Sequence, residues 1–209
     1  MKVLLINGSS NEHGCTYTAL NEVAETLNKN DIETEIIYLG KDAIRDCIGC
    51  RACKNTGKCI FNDDIVNEII DKAKDCDGFV FGSPVYYAHP SGRILSFMDR
   101  LFYAGGKNFE YKPACAVVSA RRSGTTASMD VINKHFLINN MPVVPSNYWN
   151  NVHGHQSKEV KQDFEGMQVM RTIAYNMIWM LKSFEMAKNA GITPEKEEKI
   201  YTNFYKANS

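Results

Sequence analysis

Residues 46–59 read DCIGCRACKNTGKC and place Cys47, Cys50, Cys53 and Cys59 in the spacing C-x2-C-x2-C-x5-C. Four thiols on one loop can surround an iron–sulfur cluster, bind zinc, close a disulfide or stay reduced. Zinc ribbons and fingers use two separated pairs, so this compact run suits zinc poorly and a [4Fe–4S] cluster better. Free thiols in a structured loop are the alternative, since Gly49, Gly57 and Asp63-Asp64 serve equally well as a turn and a helix start. Arg51, Lys54 and Lys58 beside the thiols also suit redox-sensitive cysteines, and a regulatory disulfide or adventitious metal stays open. The chain has seven cysteines, an odd number, which argues against a disulfide framework. Cys76 and Cys115 sit beside apolar strands and read as core.

Three further stretches carry chemistry. NGSSNEHGCT leads straight from a short apolar run into a helical pattern. Its small residues and hydroxyls, set at the positive end of a helix, suit a phosphate held mainly by neutral donors. It has neither the Gly-x-Gly-x-x-Gly nor the Gly-Lys-Thr/Ser pattern, which disfavours a dinucleotide fingerprint and a nucleoside triphosphate loop. An ordinary polar turn is the plain alternative. GSPVYYAHPSG joins a rigid, exposed backbone turn to the flat surfaces of Val85, Tyr86 and Tyr87. A planar ring system needs both, although tyrosines of this kind also pack at subunit contacts. SARRSG sets Arg121 and Arg122 among small residues, either beside an anionic ligand or as a solvated pair. His153 and His155 lie in NYWNNVHGH with Trp149 and read as a lid or contact loop rather than a metal pair.

The elements that must position these loops follow from apolar periodicity. Strand patterns fall at 2–6, 32–39, 79–81, 114–120 and the proline-bracketed PVVP at 142–145, with Gly82 ending the third. Helical spacing marks 19–27, 65–70 behind an Asp63-Asp64 cap, 94–102, 125–138 and 167–184. Such alternation predicts one α/β domain, a doubly wound parallel sheet with helices on both faces, over 1–190. Residues 191–209 read as a C-terminal tail with a helical extension. In such a sheet ligands bind beyond the carboxyl ends of the strands, where the strand order reverses, and the three loops sit there. The methionine-rich last helix has excess apolar surface, pointing to a homodimer or homotetramer. With 44% apolar residues, 23% charged residues and zero net charge, the chain lacks a broad basic field for nucleic acid or anionic lipid. MKVLLINGSS is too short an apolar run for a signal core, and no stretch is long enough to span a bilayer. The expectation is a cytoplasmic protein.

The combination GSS…GCT, CIGCRACKNTGKCIFNDD and GSPVYYAHPSGRILSFMDR resembles the flavodoxin-like NAD(P)H-dependent FMN reductases over about residues 1–185, especially the branch with the iron–sulfur flavoproteins. The resemblance implies a five-stranded parallel sheet in the order 2-1-3-4-5. It implies an FMN phosphate surrounded by Ser9, Ser10, Asn11, Cys15 and Thr16. Ser83, Pro84, Val85, Tyr86 and Tyr87 would border the isoalloxazine, and Ser119, Arg121, Arg122 and Gly124 would close its third side. Cys47, Cys50, Cys53 and Cys59 would hold the [4Fe–4S] cluster. Many relatives have Arg or Lys in the phosphate loop and Asn in place of Cys15, whereas this chain reads Asn11-Glu12-His13. Asp99 and Arg100 are expected to form an ion pair that anchors the helix after the second loop.

The implied activity is hydride transfer from NADH or NADPH as a transient co-substrate to bound FMN, then to a small-molecule acceptor such as a quinone, a flavin, or a nitro or azo compound. The flavin carries the chemistry, so no side chain is assigned as acid or base. The alternative is an electron carrier with FMN and [4Fe–4S] that exchanges electrons with ferredoxin-like partners. A flavin-bearing thiol sensor is a third reading.

Overall fold

The computed structural model describes residues 1–200 and 202. The strands are β1 (Lys2–Asn7), β2 (Glu33–Tyr38), β3 (Gly78–Tyr86), β4 (His89–Pro90), β5 (Ala114–Ala120) and β6 (Asn151–His153). The helices are α1 (Cys15–Asn28), α2 (Cys53–Thr56), α3 (Val66–Lys72), α4 (Gly92–Gly105), α5 (Thr125–Ile138), α6 (Ser157–Val160) and α7 (Phe164–Asn189). Parallel pairing gives the order β2-β1-β3-β5-β6, with β4 antiparallel to the end of β3. The fold is the flavodoxin-like doubly wound sheet.

Alternation along the strands builds two cores. Leu4, Ile6, Phe79, Phe81, Ala116 and Val118 face α3, α4 and α5. Val3, Leu5, Val80, Cys115 and Val117 face α1 and α7. On the first face Phe79 and Phe102 both stack near Phe109, with ring centroids at 4.7 and 4.9 Å. Phe136 closes on Phe81 at 5.3 Å. Each such pair adds about 0.5–1.5 kcal/mol beyond area burial. On the second face Arg171 of α7 pairs with Glu22 of α1 at 2.6 Å.

Four expectations need correction. PVVP is not the fifth strand: only an isolated bridge, Val143 to Ala114, forms there. Proline cannot donate to a ladder, and the edge position opposite Val118–Ala120 goes to Asn151–His153. Gly82 does not end the third strand, which runs on to Tyr86. Its missing side chain serves helix packing instead, since a Cβ there would stand 2.7 Å from Leu20 Cδ1 and 2.9 Å from Thr16 Cγ2. Asp99 and Arg100 do not pair with each other, because adjacent helical residues point apart. Asp99 meets His135 Nε2 at 2.9 Å, while Arg100 turns inward to Asp64. Finally, residues 192–200 carry no helix. The rest of that tail, Thr202 apart, lies outside the described residues. Among the described residues no helix is long and apolar enough to cross a membrane.

Candidate functional site

The loop after β1 folds around the buried side chain of Asn7. Asn7 Oδ1 accepts the Ser9 N–H at 3.1 Å, and its Nδ2 donates to the Glu12 carbonyl at 3.0 Å. Ser9 Oγ then accepts the Asn11 N–H at 3.0 Å. The loop delivers the chain to α1 through Gly14, whose extended backbone offers no side-chain cap. The first N–H groups of this helix are therefore left without a side-chain acceptor, and the helix dipole adds its positive end. Ser10, Asn11, Glu12 and His13 are exposed around it. Cys15 turns away, with its thiol directed at the Gly154 carbonyl 3.6 Å distant, and burial pushes that thiol's pKa up. Thr16 is buried, and its hydroxyl meets that of Ser119 at 2.9 Å.

Serines tie the second loop to the first. Ser83 Oγ accepts the Ser91 N–H at 2.9 Å and donates to the Pro84 carbonyl at 2.8 Å. Ser91 Oγ donates to the Gly8 carbonyl at 2.8 Å and accepts the Ile94 N–H, which caps α4. Ser83 is thus a buried brace, not an exposed donor. Beyond it the chain forms a hairpin, with Val85 opposite Pro90 and Tyr86 opposite His89. Its two tip residues, Tyr87 and Ala88, have φ of 51° and 58°. Two-residue hairpin turns with positive φ at both positions favour Asn and Gly, so this tip is strained. Tyr86 reaches back over the first loop, its hydroxyl 3.4 Å from Ser10 Oγ. Tyr87 stands fully exposed.

The third loop leaves β5 with Arg121 and Arg122 exposed, and among the described residues neither pairs with a carboxylate. Gly124 has φ of 89°, and a Cβ on it would lie 2.5 Å from Ala88 Cα. The third loop therefore presses against the hairpin tip. His153, on β6, supports it from behind: its Nε2 is 3.1 Å from the Arg122 carbonyl, and its backbone N–H donates to Asp163 Oδ2 at 2.6 Å. The structure thus brings the three stretches to one mouth at the carboxyl ends of β1, β3 and β5.

Asn7, Tyr38, Ser91 and His153 complete this framework without having been marked for these roles. Tyr38 donates its hydroxyl to the Ser10 carbonyl at 2.9 Å, a contact that exists because β2 pairs with β1 in the register Asn7–Tyr38. Ser91 alone had a local signal, as a serine just before a helical run. The N–H groups at the start of α1 and the Ser10 hydroxyl below Tyr86, with two arginines that meet no carboxylate among the described residues, suit the phosphate and the planar ring of FMN.

The cysteine loop lies elsewhere, against α4. Cys47, Cys50, Cys53 and Cys59 are free thiols that line one pocket with Phe61, Arg100 and Tyr103. Positive φ at Gly49, Arg51 and Gly57 lets the short loop wind round that pocket. Cys53 is buried, its thiol 3.8 Å from the Tyr103 carbonyl. Burial pushes the Cys53 thiol's pKa up; its own backbone N–H opposes this, and Cys47, Cys50 and Cys59 push it further. Arg100 Nε donates to Cys59 Sγ at 3.1 Å. A single tetrahedral ion needs its thiolates about 3.8 Å apart, from metal–sulfur bonds near 2.3 Å. Among the described residues no group of three or more His, Cys, Asp or Glu side chains converges in that way. Four thiols lining one pocket, with a cation donating to one sulfur, are the kind of donor set that an iron–sulfur cluster takes.

Comparison with known proteins bears on the family and the fold. Residues 1–156 match the family described as NADPH-dependent FMN reductase. The chain is 33% identical over 190 residues to an iron–sulfur flavoprotein of Methanocaldococcus jannaschii, covering 87% of this chain and 98% of that one. An iron–sulfur flavoprotein of Methanosarcina thermophila is 25% identical over 186 residues, covering 87% and 96%. Among solved structures, RosB with a bound riboflavin-phosphate intermediate superposes with a TM-score of 0.72 at 15% identity, covering 100% of this chain and 92% of that one. An archaeal flavodoxin gives 0.56 at 16% identity, covering 85% and 99%. These two structures bear on the fold alone. The chain belongs to the NADPH-dependent FMN reductase family and stands beside its iron–sulfur flavoproteins.

Proposed function

We propose that the chain is an electron-transfer flavoprotein that binds FMN at the mouth of β1, β3 and β5 and a [4Fe–4S] cluster on the cysteine loop. The observation that carries this reading is the gathering of Cys47, Cys50, Cys53 and Cys59 round one pocket with Arg100 donating to Cys59. Bound FMN supplies hydride and single-electron chemistry, and the cluster supplies single-electron steps. The protein's part is placement. Backbone N–H groups at the start of α1 and the hydroxyls of Ser9 and Ser10 would hold the phosphate. Val85, Tyr86 and Tyr87 cover the ring and exclude water. Arg121 and Arg122 supply positive charge that favours electron uptake. Thr16, Ser83 and Ser119 hold the three loops in register. The two sites are joined by α4, with Ser91 and Arg100 about 13 Å apart along a helix rising about 1.5 Å per residue. Ferredoxin-like proteins are the partners this reading implies. Phe164, Tyr175, Trp179 and Met186, exposed along α7, support a homodimer or homotetramer.

Anaerobic purification followed by an absorbance spectrum and iron and sulfide analysis tests the reading. It expects about four irons per chain, lost in Cys50→Ser while FMN is retained. Flavin bands without iron, in protein that turns over NADH or NADPH fully, would refute it. That outcome would leave a second reading, favoured by the family match over 1–156. It is an FMN reductase that passes electrons from NAD(P)H to a quinone, a flavin, or a nitro or azo compound.

A further inference from the structure

Arg100 projects from α4 with its side chain wholly buried. A buried guanidinium is costly unless every N–H finds an acceptor. Here all five do. Nε donates to Cys59 Sγ at 3.1 Å. One terminal nitrogen donates to Asp64 Oδ2 and, at 3.3 Å, to the Arg45 carbonyl. The other donates to Asp64 Oδ1 at 3.1 Å and to the Phe61 carbonyl at 3.3 Å. These acceptors bracket the cysteine loop, with Arg45 before Cys47 and Phe61 and Asp64 after Cys59. One side chain pins both ends of the loop and touches a thiol inside it.

The order of charges fixes the sign of the effect. Asp64 grips the two terminal nitrogens end-on, and Cys59 meets Nε on the opposite side. The cation therefore stands between the carboxylate and the sulfur. The Phe61 ring, 5.2 Å from the guanidinium carbon, helps keep water from diluting that field.

We propose that Arg100 is a positioning residue for the cysteine-bound redox centre, fixing Cys59 among the ligands and raising the centre's reduction potential, with Asp64 opposing that rise. The proposal rests on the reading that this loop holds a [4Fe–4S] cluster. Reduction adds one electron, and so one negative charge, to the cluster and its four thiolates. A hydrogen-bonded cation at one sulfur stabilises that added charge, and a carboxylate behind the cation offsets part of the gain.

The test compares wild-type, Arg100→Gln and Asp64→Asn proteins, purified anaerobically and assayed for iron and sulfide. Each is titrated with dithionite while the cluster is followed by EPR and the flavin by absorbance. The cluster midpoint falls in Arg100→Gln and rises in Asp64→Asn, and the flavin midpoint moves less in both. A residue that merely stabilises the fold would not shift the two variants in opposite directions. Full iron content with an unmoved cluster midpoint in both variants overturns the proposal and leaves the cluster reading standing. Wild-type protein without iron overturns both. If Arg100→Gln fails to fold or to load, Asp64→Asn decides alone, because it is isosteric and keeps an acceptor for the Val66 N–H now bonded at 3.1 Å. A raised midpoint then supports the proposal, and an unchanged or lowered one overturns it.

Discussion

Replacing Gly82 by alanine tests whether the floor of the flavin site depends on close contact between α1 and β3. An added Cβ would lie 2.7 Å from Leu20 Cδ1, 2.9 Å from Thr16 Cγ2 and 3.0 Å from Leu20 Cγ. Leu20 is fully buried and Thr16 nearly so, so neither can swing into solvent. Relieving the overlap means shifting α1 off the sheet, at roughly 1–3 kcal/mol for an overpacked core. The shift also separates the Thr16 and Ser119 hydroxyls, now 2.9 Å apart, at a further 0.5–1.5 kcal/mol, roughly, for a buried hydrogen bond. The sum is about 1.5–4.5 kcal/mol, read as a lower urea midpoint at unchanged m-value. Because α1 begins at the phosphate loop, FMN affinity should fall as well, measured by quenching of flavin fluorescence. Gly92→Ala is the matched control: a Cβ there meets nothing within 4 Å, at the first position of α4. It should leave stability unchanged or raise it by up to about 1 kcal/mol. A Gly82→Ala protein within about 0.5 kcal/mol of wild type, the ordinary range of a harmless surface change, would refute the packing argument.

Further outcomes can be checked with similar means. Tyr86→Ala should weaken FMN binding about tenfold, or ~1.4 kcal/mol, and Tyr86→Phe much less; equal affinity in Tyr86→Ala removes this ring from the site. In iron-free native protein a disulfide reagent should label exposed Cys50 quickly and leave Cys115 silent, since burial keeps that thiol protonated and out of reach. Labelling of Cys115 before unfolding would contradict its placement. Glu35 bonds Lys72 at 2.6 Å and Lys2 at 3.0 Å, and its pKa lies below the usual value, chiefly through the Lys72 bond, which outweighs partial burial. A depressed carboxylate contributes stability that is present above its unfolded pKa, about 4.3, and is lost as pH falls through the folded value. Urea midpoints of Glu35→Gln should therefore depend less on pH below that point; an unchanged acid limb would show that the pair contributes nothing.

Much of the architecture is legible before any coordinates, because burial on both faces leaves a plain mark. Val3–Ile6 and Ala114–Val118 are continuous apolar runs, as strands covered on two sides must be, and Met167, Met170, Ala174 and Met177 recur as one helical face does. Where that mark fades, the reading fails. Asn151–His153 has one apolar residue and becomes a strand because it takes the place beside the end of β5, while PVVP is apolar but its two prolines cannot donate and leave it a single bridge, with the Val144 N–H bonded to the Ala114 carbonyl. Gly82 looks like a terminator when only neighbours in sequence are considered; its role depends on Thr16 and Leu20, more than sixty positions earlier.

The order of elements, the three loops at strand ends and the four-thiol loop follow from residue types and periods, which are local properties of the chain. Which hydroxyls face the mouth and which are consumed as braces could be settled only by packing, since Thr16 and Ser119 stand 103 positions apart and meet across the sheet. The same holds for Arg100, whose neighbour Asp99 is its obvious partner on paper. Helix geometry sends the two side chains in different directions, and burial then requires the guanidinium to collect its acceptors from the distant cysteine loop.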